Sequence, residues 1–388
     1  MITQQLPDGW KMVRFGDIAK QCKESIDREN NPFSRYIEGG HMDSEHLTIR
    51  RWGEFSEDYV GPAFHRVFRK GQILYGSRRT YLKKVAVASF DGITANTTFV
   101  IEPIVSDYFD GALLPFIMLS DSFTKHSIAM SKGSTNPYIN WKDISEYQFP
   151  LPPLEVQKSL AKIGNKIIEV ENTAYAVESS LINLITSYTT EALCNTDNKL
   201  VSLSDLVDMQ VGFPFKSKDF VEDGISLLRG ANVGVCKPVW GDERKCIQYE
   251  IAKDYSDYML DEGDVIVAMD RPFVGSGFKV SRIGVDDLPS LLVQRVGRFN
   301  NFKGISADFL WVLMNSHFMK GHLLSQQKGM DIPHLSKKEI LSCLVPQIPL
   351  EKQGEIFGLY RNLEKIRDEL SVKKEKLKKM QVQIFEDL

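Results

Sequence analysis

Residues 61–90, GPAFHRVFRKGQILYGSRRTYLKKVAVASF, hold seven Lys or Arg and no acid. Arg78, Arg79, Lys83 and Lys84 gather there just after a predicted strand, with Tyr75 and Tyr81 among them. Basic residues interleaved with aromatics suit a loop that faces nucleic acid. A solvated basic face would use the same residues. Two further loops carry polar groups able to read base edges. One runs from Lys132 to Tyr138 and offers Lys132, Ser134, Thr135, Asn136 and Tyr138; the other runs from Lys328 to His334 and offers Lys328, Asp331 and His334. The second half of the chain adds Lys216 and Lys218 in GFPFKSKDF, Arg229 and Asn232 in LLRGANV, Arg271 in MDRP, and Gln294 and Arg295 in LLVQRV. Arginine suits guanine, and Asn or Gln suits adenine. Taken singly, each of these is as readily a phosphate contact or a structural residue.

Other chemistries find little support. NPY at Asn136 and RPFVGSGF at Arg271 imitate the catalytic and methyl-donor loops of an amino-methyltransferase. The first lacks the second proline of such a loop. The second should open an amphipathic helix, whereas KVSRIGVDDLPSLLV reads as strand and turn. His41/His46 and His317/His322 are spaced by five, not the four that sets two ligands on one helix face. No phosphate-binding P-loop occurs. The cysteines, Cys22, Cys194, Cys236, Cys246 and Cys343, have no CxxC spacing and read as reduced thiols. No catalytic group and no metal site is expected.

The loops belong to a duplication. SKGSTNPYINWKDISEYQFPLPPLEVQ begins at Ser131, and QKGMDIPHLSKKEILSCLVPQIPLEKQ begins 196 residues later at Gln327. VRFGDIA at Val13 resembles VSLSDLV at Val201, YIEGGHM resembles LLRGANV, and Gly71 meets Gly263. The separation grows steadily from 188 to 196, as a few residues added in loops of the second copy would make it. After each Pro-Leu-Glu-x-x-Gln, apolar residues fall at alternating spacings of three and four. They are Leu160, Ile163, Ile167, Val170, Ala174, Val177, Leu181, Leu184 and Tyr188, then Ile356, Leu359, Leu363, Ile366, Leu370, Leu377, Met380 and Ile384, with Lys373 as the polar member. That is the seam of a coiled coil. Glu155 and Glu351 lie where a helix dipole favours a negative charge.

The predicted architecture is α+β: similar globules at 1–150 and 198–346, helices at 151–197 and 347–388, and the helices paired antiparallel within the chain about a pseudo-two-fold axis. Helices of ~35 residues, at about 1.5 Å per residue, span on the order of 15 base pairs of duplex DNA. Bulk properties agree with an ordinary globular protein: 388 residues, 43% hydrophobic, 26% charged, formal net charge −3. The opening MITQQLPDGWK lacks the apolar core of a signal peptide, and the longest apolar run, ALLPFIML, is too short to span a bilayer.

The order of these blocks closely resembles the specificity (S) subunit of type I restriction–modification systems. The resemblance rests on VRFGDIA and LVSLSDLV, GQILYGSRRTYLKKVAVASFDGITANTTF and GDVIVAMD, SLLRGANV, LLVQRVGRF, and the LPPLEVQ and IPLEKQ helix starts. It covers essentially the whole chain. It implies two target-recognition domains, each reading one half of a bipartite double-stranded DNA target. It also implies helices that set the gap and dock two methyltransferase subunits, with restriction subunits joining them. Adenine methylation with S-adenosylmethionine, and ATP and Mg2+ chemistry, would then lie in those partners, and this chain would have no active site. The implied setting is the cytoplasm of a bacterial or archaeal cell. The alternative from another class is a stand-alone adenine-N6 methyltransferase; a scaffold that never meets DNA is a third.

Overall fold

The computed structural model describes residues 6–27, 30–194, 198–241, 244–274, 277–326 and 334–385. Its contacts divide the chain into two compact units, Met1–Val177 with Leu370–Leu388, and Glu178–Glu369.

In the first unit, strand Lys11–Arg14 pairs antiparallel with Gln148–Leu151, closing the globule where the chain leaves it. The next turn, Phe15–Ile18, buries Phe15 and Ile18 completely, and Phe15 N–H donates to the Tyr147 carbonyl at 2.7 Å. An antiparallel sheet then runs in the order Ala19–Cys22, Thr98–Pro103, Ile73–Gly76, Val85–Val87. A second sheet runs Gly53–Glu54, Arg35–Ile37, Gly92–Ala95, Phe64–Phe68, its middle pair parallel. Helices Leu114–Leu119 and Asp121–Ala129 bury Phe116, Ile117 and Phe123 in one core with Phe15. Ser120 Oγ caps the second of them by accepting from Phe123 N–H at 3.3 Å.

The second unit repeats the plan. Leu200–Ser202 pairs with Leu344–Pro346, and Leu203 N–H donates to the Cys343 carbonyl at 2.8 Å. The antiparallel sheet runs Asp208–Val211, Val296–Asn300, Val265–Ala268, Val280–Arg282. In the other sheet Cys246–Ile247 and Ser290–Leu292 flank Ile225–Leu228, which is parallel to Ser290–Leu292. Helices Ala307–Asn315 and His317–Gln326 follow, with Ser316 Oγ accepting from Met319 N–H at 3.2 Å. Gly71 and Gly263, aligned by sequence, both turn at positive φ, 91° and 88°, where a side chain is disfavoured. The predicted α+β globules and their late helices are present in both copies.

The long helices are Leu154–Leu193 and Leu350–Phe385. Each begins by gripping its globule through a buried glutamine. Gln157 Oε1 accepts from Asp110 N–H at 2.9 Å, and its Nε2 donates to the carbonyls of Tyr108 (2.9 Å) and Pro152 (2.8 Å). Gln353 does the same with Ser306 N–H (2.8 Å) and the carbonyls of Gly304 (2.9 Å) and Ile348 (2.7 Å). The helices meet within each unit. In the first, Lys374 Nζ lies 3.8 Å from the centre of the Tyr175 ring. In the second, burial and the nearby Glu355 raise the Tyr188 pKa. Within the first unit, Leu160 and Ile168 share a core with Ile384 and Phe385 while Tyr175, further along, meets Lys374, so the helices run antiparallel there, as expected.

The buried stripe corrects the predicted seam. Ile167, Ala174, Ile356 and Leu363 are buried, and Leu160, Leu181, Leu370 and Leu377 are half-buried. Ile163, Val170, Val177, Leu184, Leu359, Ile366 and Met380 are 41–52% exposed. In their place the next residue faces inward, as at Gly164, Glu171, Ile185, Tyr360 and Gln381. The inward face must receive a globule as well as a helix, so it is rotated away from a pure two-helix seam. At Gly164 an added Cβ would stand 2.4 Å from Phe116 Cζ, so that crossing needs the absence of a side chain.

Candidate nucleic-acid interface

In the second unit, the turns after Val265–Ala268 and Ser290–Leu292 frame an open cleft of about 410 Å3. Arg229, Asp270, Arg271, Lys279, Gln294 and Arg295 line it. Asp270 is the one acid among these lining residues. Its carboxylate accepts from Arg295 Nη1 at 2.5 Å and from His334 Nδ1 at 2.6 Å. Burial pushes its pKa up, but those two bonds together outweigh burial and hold it below the usual carboxylate range. Lys279 is pushed down, first by burial and then by the charge of Arg271, and its Nζ donates to the Gly230 carbonyl. Arg271 (φ 44°) and Arg295 (φ 62°) both adopt left-handed backbone, a strain non-glycine residues rarely carry.

The structure thus brings together Arg229, Arg271, Gln294, Arg295 and His334. Lys216 is exposed but does not line the cleft. Lys328 and Asp331 lie outside the described residues. Asn232 is corrected: it is completely buried, where its Oδ1 accepts from Arg229 N–H (3.3 Å) and its Nδ2 donates to the Val239 carbonyl (3.2 Å). It braces the loop and presents no amide to a partner.

The first unit builds the corresponding surface. Arg78 bridges to Tyr138 as Asp270 bridges to His334. Arg79, like Arg271, is left-handed (φ 50°), and its N–H donates to the Pro137 carbonyl at 2.6 Å. Lys132 and Tyr138 exchange backbone bonds of 2.8 and 2.9 Å, which closes a loop whose tip exposes Ser134, Thr135 and Asn136. Lys132 Nζ pairs with Asp143 at 3.1 Å. Lys83 is a second correction: its side chain is 14% exposed and ion-paired to Glu45 and Asp121, so its charge is already matched within the fold. Lys84 Nζ donates to the Gly39 carbonyl.

Sequence reasoning missed Asn96 and Thr97. Ser77 N–H donates to the Thr97 carbonyl and Met269 N–H to the Arg295 carbonyl, both at 2.9 Å, so Asn96 and Thr97 occupy the places of Gln294 and Arg295. Laying GITANTTF on SLLVQRVGRF would have found them. On either side of the glycine loop that imitates a methyl-donor site, Phe273–Val274 pairs antiparallel with Gly277–Phe278, and strand Val280–Arg282 follows rather than a helix. Among the described residues, no group of three or more His, Cys, Asp or Glu is placed to hold a metal ion. Among the described residues, no helix is long and apolar enough to cross a membrane.

Residues 7–177 match the type I restriction modification DNA specificity domain. The chain is 27% identical to the type I restriction enzyme MjaVIII specificity subunit of Methanocaldococcus jannaschii, over 98% of this chain and 92% of that one. It is 32% identical to the EcoAI specificity subunit of Escherichia coli, over 40% of this chain and 26% of that one. The fold matches the type I restriction–modification S subunit from M. genitalium (TM-score 0.59, 13% identity, 99% of this chain and 97% of that one). It also matches a chain solved in work on assembly of a type I R-M system (TM-score 0.58, 19% identity, 99% and 100%). Two copies of one globule, each anchored to a long helix by the same glutamine, accord with these matches, and along essentially its whole length the chain is similar to the specificity subunits of type I restriction–modification systems.

Proposed function

We propose that this chain is the DNA-reading and assembly subunit of a type I restriction–modification enzyme and does no chemistry itself. Residues 1–150 and 198–346 each read one half of a bipartite duplex target. The helical regions 151–197 and 347–388 set the gap and dock two methyltransferase subunits, which restriction subunits join. S-adenosylmethionine, ATP and Mg2+ belong to those partners, and the complex works in the cytoplasm, on the cell's DNA. One observation carries the reading: two globules share a backbone plan yet present different side chains at the same loop positions, Arg78 and Thr97 against Asp270 and Arg295. Such a pair suits two different half-sites. Docking is supported by Val156, Ile163, Val170, Val177 and Leu184, a heptad-spaced row 41–52% exposed along the first long helix.

Mapping adenine methylation in host DNA with and without the gene tests the whole reading. A two-part adenine-methylated motif that disappears on deletion is expected; an unchanged methylation pattern would overturn it. The stand-alone methyltransferase is tested by incubating purified chain with DNA and labelled methyl donor, where no transfer is expected.

A further inference from the structure

The two corresponding surfaces share a backbone but not a chemistry. Ser77 and Met269 each donate to the residue across the turn (Thr97 and Arg295, both 2.9 Å), and the carbonyl of each accepts from the later loop (Ile139 N–H at 2.9 Å, Leu335 N–H at 2.8 Å). The bridges Arg78↔Tyr138 and Asp270↔His334 coincide as well. Corresponding positions are therefore Arg78 and Asp270, Arg79 and Arg271, Thr97 and Arg295, Tyr138 and His334. Only the Arg79 and Arg271 position keeps both its residue type and its left-handed backbone (50° and 44°). A contact kept for two half-sites of different sequence must go to what all duplexes share, the phosphate backbone. The other three positions change type, as base readers must.

Among those three in the second unit, Asp270 is engaged by both of its neighbours. Arg295 gives one N–H to Asp270 and has a side chain 64% exposed. A guanidinium carries five N–H donors in a planar fork, and a carboxylate on one edge fixes the direction of the other. An ion pair this exposed adds little to stability, and the strained backbone works against it, so neither feature is explained by folding. We propose that Arg295 reads a guanine in the half-site of residues 198–346, with Asp270 as its positioning residue, while Arg271 and Arg79 grip phosphate. The proposal rests on the function given above.

The test is methylome sequencing with the chain assembled with its methyltransferase subunits, comparing wild type with Arg295→Gln, Arg295→Lys, Arg271→Gln, Asp270→Ala and Asp270→Asn. Arg295→Gln should relax one guanine position of one half-site, losing on the order of 10- to 100-fold discrimination there, with the other half-site and the gap unchanged. Arg295→Lys keeps the charge but not the fork and should relax the same position, and it carries the test if the glutamine variant fails to fold. Asp270→Ala should relax that position too, add nothing to Arg295→Gln, and be partly rescued by Asp270→Asn. Arg271→Gln should weaken binding evenly across sequences, lowering the salt slope by about 1. The proposal is overturned if Arg295 variants lower methylation evenly with the motif intact, or if Arg271→Gln changes the motif. A wild-type complex that yields no bipartite motif would instead remove the function on which the proposal stands.

Discussion

Glu364 is a carboxylate set largely out of water on the second long helix, 2.8 Å from Arg367 Nη2. Burial, only partly opposed by Arg367, raises its pKa above the usual range. The folded state therefore holds this proton at pH values where the unfolded chain has lost it. The cost of ionising it appears as pH rises from the ordinary glutamate range through the raised value, and is fully present above that. Glu364→Gln should raise the melting temperature at pH 7.5 by on the order of 2 °C and leave it unchanged near pH 4. A loss at both pH values would show that the ion pair outweighs the burial. Phe116, completely buried and stacked on Phe385 with ring centres 4.7 Å apart, is the opposite kind of residue. Phe116→Ala should cost about 3–5 kcal/mol in denaturant unfolding, because it removes a fully buried ring and leaves a cavity against Phe385.

At the scale of elements, the joint between helix and globule is the feature most open to test. Gln157→Ala would orphan one N–H and two carbonyls, and Gln353→Ala their counterparts. Each should cost on the order of 1–3 kcal/mol, measured by thermal or urea unfolding, with no change at exposed Gln383 as a control. Gly164→Ala should also destabilise, by about 1–3 kcal/mol through overpacking against Phe116, although alanine is the better helix former. These elements were only partly legible in the sequence. The helices and their starts were, because proline and 3.6-residue periodicity are local signals. The glutamines were visible as a repeated letter, but their role depends on main-chain groups 47 and 49 residues away. The orientation of the stripe was not legible, since alternating three- and four-residue spacing does not say whether a helix or a globule fills the facing side.

For the whole molecule, the duplication is what made the fold readable, since weak local patterns that recur in order reinforce one another. The reading surface was less legible. Arg271, Gln294 and Arg295 were singled out from residue type, but Asn232 and Lys83 share that type and turn inward, and only packing distinguishes them. If the helices set the gap, one added heptad in each, ~10 Å of rise, should lengthen the unspecified stretch of the target by about 3 base pairs and leave both half-sites as they are. Methylome sequencing of the insertion variant checks this, and an unaltered gap would refute it. The glutamine joint also bears on how such proteins diversify. Gln157 and Gln353 hold atoms of the main chain, which every sequence supplies alike. Mutation can therefore rewrite a globule's side chains, or recombination replace the globule outright, without a compensating change in the helix, and new specificities can arise in lineages whose scaffold stays still.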